Sequence, residues 1–438
     1  MKIAWFTPFA KESAIGRYSR LVTDELAKAA EVDLWVPEAR HYHPTALRTI
    51  KFGRLLEIRP DTLAHYDLVV YQLGDHLPYH RQIFEASRKV PGIVILHDFV
   101  MHHFFAGYFL QHKNSREEYM AVMTRHYGDR GKAVTQRAFD GLPPWVWETD
   151  AVVDFPFFEE AIRGAYGVIV HSNFLAARIG KTFQWPVRKL DLPYDAGSGS
   201  RPVYPRKKLG IREEDILIVT VGHVNSNKRV PSVLEALARN SQNARKITYA
   251  VLGPCDAEYH KELVALARQH GIQDEVRLPG FVSEDHLHSY LSHADICVNL
   301  RFPAMEGGSA SVIEEMLYGK PVVVTDTGFY AELPNDCVRK VRPEHEVEDL
   351  TAALCDLISD KPSRKELGNK AQQFAREHFR ADKYSQGFLD FTAEILAAKP
   401  LFQLADRIGQ HLAGMGVGSD ARVLERVAQE SFHLFCQR

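Results

Sequence analysis

Short apolar runs alternate with amphipathic helical stretches along most of the chain, and this alternation restricts its fold more than any other feature. In the first half, strand-like residues 2–6, 32–36, 68–71, 92–96 and 168–170 are separated by helical patterns, among them 15–30, 81–89 and 173–181. In the second half, runs at 216–221, 248–252, 276–278, 296–300 and 322–324 alternate with helical patterns at 231–240, 257–270 and 284–293. Apolar strands joined by helices pair in parallel, because the helices must cover both faces of the sheet. Between the halves, DLPYDAGSGSRPVYPRK (191–207) mixes Pro, Gly and Ser with little periodicity and is predicted to be an interdomain linker. The expected fold class is therefore α/β, with Rossmann-like domains at 1–195 and 196–380 whose parallel sheets face a central cleft. A chain of 438 residues is too long for one ordinary core, which agrees with that division.

Residues 99–165 interrupt the alternation with aromatic-rich, mainly helical sequence (FFAGYFLQHK, EEYMAVMTRHYG, LPPWVWETD). An insertion of this size is expected to form a lid or an acceptor wall. Trp145 and Trp147 suit the apolar faces of sugars, with packing inside the insertion as the alternative. The formal charge of -2, from 54 basic and 56 acidic residues, gives no whole-chain field for nucleic acid or an anionic membrane. Cys255, Cys297, Cys337, Cys355 and Cys436 are odd in number and widely spaced, against both a disulfide framework and a zinc site. The opening MKIAWFTPFAKES reads as a core strand rather than a secretion signal, and no run approaches the ~18 apolar residues of a spanning helix. A cytoplasmic location is expected, with peripheral contact at the inner face of a membrane if the acceptor is a lipid.

The strongest functional pattern is RFPAMEGGSASVIEEMLYGKPVVV, in which Glu306 and Glu314 stand eight positions apart around a Gly-Gly turn. Gly307 and Gly308 are expected to take backbone angles closed to other residues, and Ser309 or Ser311 to cap the following helix. Outward-facing amides there would hold phosphate, with Glu314 deeper for a ribose and Glu306 at the lip. An isolated pair of this kind would be a solvated loop acid and a surface helix residue; the sequence loop, helix, Gly319-Lys320-Pro321 turn and Val322–Val324 strand favours the site. In VTVGHVNSNKRV, Gly222 ends a strand and Lys228 and Arg229 follow a polar turn, where cations would neutralise a leaving diphosphate. LHDFVMHHFF puts His97 and Asp98 at a strand's carboxyl end, pointing to the cleft. His102 and His103 follow, but no i, i+4 His motif or acidic cluster supports a metal, and one of the two is expected to pack between aromatics. Gly16, with Arg17, lies in the first strand-to-helix turn, and Phe281 and Val282 are expected to turn toward a nucleobase, with core packing equally open for Phe281.

The Glu306–Glu314 segment resembles the E-x7-E signature of retaining glycosyltransferases of family 4, and the likeness extends over most of 1–398. The resemblance implies the GT-B fold, with 381–398 as the helix that returns to the first domain and 399–438 as an additional helical tail. It implies Glu306, His97 and Lys228 as the catalytic set. Gly16, His223, Lys228, Arg229, Val282, Gly307, Gly308, Ser309, Ala310 and Glu314 would bind the donor. His223 departs from the family, standing where relatives carry arginine, and Arg229 is the candidate replacement for that charge. The function implied is metal-independent transfer of a sugar, with retention, from a nucleotide-sugar such as UDP- or GDP-hexose to a glycan or lipid-linked acceptor in polysaccharide or glycoconjugate biosynthesis. The rivals are another GT-B enzyme, such as a phosphorylase or epimerase, and a catalytically silent nucleotide-sugar-binding partner of an assembly complex.

Overall fold

The computed structural model describes residues 1–37, 41–53, 58–182, 186–195, 203–240 and 246–417. Part of the expected linker (196–202) and the end of the tail (418–438, with Cys436) lie outside the described residues. Strands β1 (Lys2–Phe6), β2 (Glu31–Pro37), β3 (Thr49–Phe52), β4 (Leu68–Leu73), β5 (Ile93–Leu96), β6 (Gly167–Val170) and β7 (Val187–Lys189) form one sheet in the order β3-β2-β1-β4-β5-β6-β7. Strands β8 (Ile216–Val221), β9 (Ile247–Leu252), β10 (Val276–Gly280), β11 (Ile296–Asn299), β12 (Val322–Thr325) and β13 (Val338–Val341) form a second, ordered β10-β9-β8-β11-β12-β13. Neighbouring strands pair in parallel throughout both sheets. Each sheet reverses its order once, between β1 and β4 and between β8 and β11, and a crevice opens at the strand ends beside such a reversal.

The long apolar runs became central strands because both faces are covered: Ile3, Ala4, Trp5 and Phe6 are all 0 % exposed. Strands β3, β7 and β13 were not anticipated. Their sequences TIKF, VRK and VRKV carry no apolar run, and each takes its form from pairing with a single neighbouring strand. The helical pattern expected from 381 to 398 continues further, as one helix over Ala381–Gly414 with Pro400 inside it. It packs on the first domain: Phe388 lies 5.5 Å from Trp5 between ring centres, and Phe402 stacks on Tyr166 at 5.4 Å. A side-chain carbon on Gly167 would come within 2.6 Å of Ile395 Cδ1. Gly167→Val should therefore destabilise the protein by about 1–3 kcal/mol, read from the urea unfolding midpoint; an unmoved midpoint would mean that the helix is not held against β6 there.

The insertion folds onto the first domain as helices His102–Ala106 and Arg116–Phe139, a π-helical turn Gly107–His112 between them, and shorter pieces. His102 is the histidine packed among aromatics. It is 0 % exposed, its Nδ1–H donates to the Phe155 carbonyl at 2.6 Å, and its Nε2 accepts from the Tyr119 hydroxyl at 2.7 Å. The two domains meet through main chain. Phe99 and Val100 donate to the Met305 carbonyl at 2.8 and 3.0 Å, and Gly307 donates to the His97 carbonyl at 2.8 Å. Glu332 of the second domain also accepts from the Asn173 and Phe174 amides at 2.9 and 2.6 Å, at the start of helix Asn173–Thr182.

Candidate active site

A cavity of about 240 Å³ opens where these segments approach each other, faced by Tyr18, His97, Asp98 and His171 from the first domain, Tyr194 from the connection, and Gly308 and Ala310 from the second. The Gly-Gly turn forms one wall, for a reason other than the expected one. Neither glycine has a positive φ. Both are needed for closeness, since an added side-chain carbon would lie 2.8 Å from the His97 carbonyl oxygen at Gly307 and 3.0 Å from His171 Cβ at Gly308. Gly307 has spent its amide on His97, whereas those of Gly308, Ser309 and Ala310 have no acceptor among the described residues. Ser309 sits at the N-cap of helix Ala310–Leu317 without capping it, its hydroxyl instead 3.3 Å from that of Ser311. The helix start is thus left open to an anion.

Glu306 is held on three sides. Its Oε1 accepts from Arg301 Nε at 2.8 Å and from the Tyr330 hydroxyl at 2.5 Å, and its Oε2 from the Met305 amide at 3.3 Å. Burial pushes this carboxyl up, but Arg301, the Tyr330 hydroxyl and Lys228 together keep it below the usual carboxylate range. Glu314 lies deeper, 4 % exposed. Its Oε2 accepts from the Tyr194 hydroxyl at 3.0 Å, and its Oε1 is buried with no partner among the described residues. Burial raises its pKa, opposed by Arg17 and Tyr194. Arg17 donates to the same Tyr194 hydroxyl at 3.1 Å, so a chain of contacts links the first helix, the connection and Glu314.

His97 lines the cavity with both ring nitrogens engaged. His171 Nδ1 lies 3.1 Å from the Leu190 carbonyl, which can only accept, so that nitrogen carries the proton. Burial brings His171 down to about 4, so its Nε2 is a bare acceptor for His97 Nδ1–H at 3.3 Å. Burial, then His171 and His80, also hold His97 neutral, which leaves its Nε2 as an acceptor toward the Gln72 amide at 2.9 Å. Turning that amide over would supply the donor, and it would employ a Gln72 nitrogen that is otherwise buried and unpartnered. His97 is therefore a fixed wall of the cavity, oriented from behind by two side chains.

Lys228 is 1 % exposed, and its Nζ donates to the Val221 carbonyl at the end of β8. Burial, reinforced by Arg301, pushes its pKa well down, while Glu315 and Glu306 oppose that shift. Arg229, the candidate replacement for the arginine missing at 223, is paired: its Nε donates to both carboxylate oxygens of Glu346, at 2.9 and 3.0 Å, and Ser232 donates to the same carboxylate. His223 is exposed. Gly16 packs against Phe9 and Ala10, where a side-chain carbon would meet the Ala10 carbonyl oxygen at 2.5 Å, and its amide donates to Ser13 Oγ. Val282 is half-buried against the core, whereas Phe281 is 81 % exposed. Trp147 packs beneath the insertion and Trp145 is 38 % exposed, their rings 5.6 Å apart. His103 bonds Asp75 Oδ2 at 2.6 Å and the Trp147 carbonyl at 3.0 Å, and the Asp75 amide donates to Asp98 Oδ2 at 2.7 Å, which ties the insertion to the cavity. Among the described residues no three His, Cys, Asp or Glu side chains are grouped to hold a metal ion, and no helix is long and apolar enough to cross a membrane.

Arg301, Tyr194, Tyr330, His171 and Gln72 stand at this site without having been marked out by any sequence motif. Arg301 was within reach, since it follows a strand's carboxyl end just as His97 does. His171, directly after β6, was within reach on the same ground; Tyr194 lies in the connection, Gln72 in a strand and Tyr330 in a short helix, where the side chain's direction is revealed only by folding.

Residues 205–374, within the second domain, match the family described as glycosyl transferases group 1. The alpha-monoglucosyldiacylglycerol synthase of Streptococcus pneumoniae is 24% identical over 178 residues, 40% of this chain and 39% of that protein. The chain spans between 36% and 59% of the length of the curated relatives it matches. Among solved structures, sucrose-phosphate synthase from Thermosynechococcus elongatus aligns with a TM-score of 0.63 at 15% identity, over 91% of this chain and 100% of that one. Anabaena HepE, solved with UDP and glucose, aligns with a TM-score of 0.60 at 16% identity, over 90% and 100%. The fold is GT-B, as expected.

Proposed function

We propose that the chain is a retaining glycosyltransferase of the family 4 kind, which transfers a hexose from a UDP- or GDP-sugar to a hydroxyl of a glycan or lipid-linked acceptor in polysaccharide or glycoconjugate assembly. One observation carries this reading: a cavity between the domains is lined by Gly308 and Ala310, whose amides are unspent, by Tyr194, which bonds the half-satisfied Glu314, and by Asp98, which is bridged to Glu306. The open amides and Lys228 meet the diphosphate, Glu314 Oε1 takes ribose hydroxyls, and Glu306 and His97 border the sugar. The acceptor oxygen bonds to the anomeric carbon on the face the diphosphate leaves. The carbon–oxygen bond to phosphate breaks with its electron pair on the diphosphate, and the acceptor's proton passes to a departing phosphate oxygen. No enzyme nucleophile is needed, and Glu306, tied down by Arg301 and Tyr330, is poorly placed to be one. The reaction is metal-independent in this reading. HepE's complex with UDP and glucose supports UDP as the first nucleotide to try.

The test is a panel of nucleotide-sugars scored by protection against thermal unfolding, followed by transfer assays with the sugar that protects. A true donor at 100 times its dissociation constant should add about 2.7 kcal/mol, and the product should keep the donor's anomeric configuration by NMR. Protection without turnover on any acceptor would favour the silent-binder reading instead. Glu314→Ala should weaken nucleotide binding about tenfold, the loss of one charged hydrogen bond of about 1.4 kcal/mol. Calorimetry with UDP reads this directly, and unchanged affinity would remove Glu314 from the ribose site.

A further inference from the structure

Arg301 stands just past β11, beside the strand-order reversal of the second sheet, with Lys228 on the other side of that reversal after β8. Its side chain is 14% exposed. Nε donates to Glu306 at 2.8 Å and Nη1 to the Leu300 carbonyl at 3.1 Å, while Nη2 donates to nothing among the described residues. A side-chain carbon built on Gly222 would have Lys228 Nζ at 3.0 Å and Arg301 Nη2 at 3.8 Å, so both cations converge on one point at the end of β8. Lys228 offers three hydrogens and spends one, on Val221. Two buried like charges with unspent donors at one place are costly unless an anion joins them. The carboxylates nearby offset the charge but leave those donors unspent: Glu306 takes only Arg301 Nε and is shared with Tyr330, and both oxygens of Glu315 accept from Asn299 at 3.0 and 3.1 Å.

We propose that Arg301 binds the diphosphate of the donor together with Lys228, its Nη2 on the leaving group while its Nε holds Glu306. This rests on the glycosyltransferase reading. A guanidinium can do both because its donors form a rigid fork; an ammonium cannot. The second cation that sequence placed at Arg229 is supplied from the loop after β11, and the leaving group and the sugar-side carboxylate are positioned by a single side chain.

The test compares inorganic pyrophosphate, UDP, GDP and uridine by calorimetry on the full chain and on Arg301→Gln and Arg301→Lys. In Arg301→Gln, affinity for pyrophosphate and for whichever nucleoside diphosphate binds the wild type should fall at least tenfold, with uridine unchanged. Arg301→Lys should recover part of the diphosphate affinity but not the rate of transfer, since its ammonium cannot also hold Glu306. Should Arg301→Gln fold poorly, phenylglyoxal labelling of the wild type gives the same answer: pyrophosphate should protect Arg301 and uridine should not. Undiminished pyrophosphate affinity in Arg301→Gln, or labelling of Arg301 unaffected by pyrophosphate, would overturn the assignment and leave the transferase reading standing. A wild type that binds neither pyrophosphate nor any nucleoside diphosphate would overturn both.

Discussion

Glu306→Gln is expected to lower glycosyl transfer by roughly 100-fold to 1,000-fold, the usual loss when one prearranged electrostatic group is removed from a transition state. Nucleotide affinity should move by less than about threefold, because in the proposed reading the carboxylate faces the sugar rather than the nucleotide. The substitution keeps shape and one acceptor oxygen for Arg301 Nε and the Tyr330 hydroxyl, so the fold of the loop should persist. What disappears is the negative charge that these two groups and Lys228 keep ionised, which the proposed reading sets beside an anomeric carbon becoming positive. Steady-state transfer and calorimetric UDP binding on the same preparation separate the two effects. The pattern should be the reverse of that for Glu314→Ala, and parallel losses in both variants would contradict the division of roles.

A large gain in stability at alkaline pH is expected from Asp98→Asn. Burial pushes the Asp98 carboxyl up to about 7, aided by the charges of Asp75 and Glu306 and opposed by the Asp75 amide and His103. The His80 ring also stands near it, across Gly74. In the unfolded chain an aspartate titrates near 3.9, about three units lower. Between those values the unfolded state ionises while the folded state holds its proton, so stability falls as pH rises from about 4 and levels off above about 7. At 1.36 kcal/mol per unit the penalty reaches up to about 4 kcal/mol. Asparagine cannot ionise, yet it keeps an oxygen for the Asp75 amide. The variant should match the wild type near pH 4 and unfold at a higher temperature near pH 8; identical melting at both would mean that Asp98 ionises freely in the fold.

The polar network around Asp98 shows how far sequence reaches. LHDF at a strand end was enough to direct His97 and Asp98 toward a cleft, because a parallel strand's carboxyl end opens onto one. Nothing local told that His171, seventy-four positions away, would orient His97, or that His103 would reach Asp75 and carry the insertion's Trp147 with it. The partner of Arg229 was hidden for a similar reason: Glu346, distant in sequence, sits against its Nε as a buried carboxylate. The Gly-Gly turn was found for the wrong cause. Its residues are glycine because the backbone of His97 lies against Gly307 and the side chain of His171 against Gly308, and a single chain segment carries no mark of what will approach it.

The sequence by itself determined the two parallel sheets, where their long strands fall along the chain and the location of the E-x7-E segment, because apolar periodicity and turn chemistry act over a few residues and persist whatever lies beyond. The tertiary structure alone decided which cation stands beside Lys228, which oxygen of Glu314 is left open and why Gly307 and Gly308 have no side chains. Those outcomes depend on how two domains and a returning helix are brought together, and charge pairing and close approach are settled by distance in space rather than along the chain.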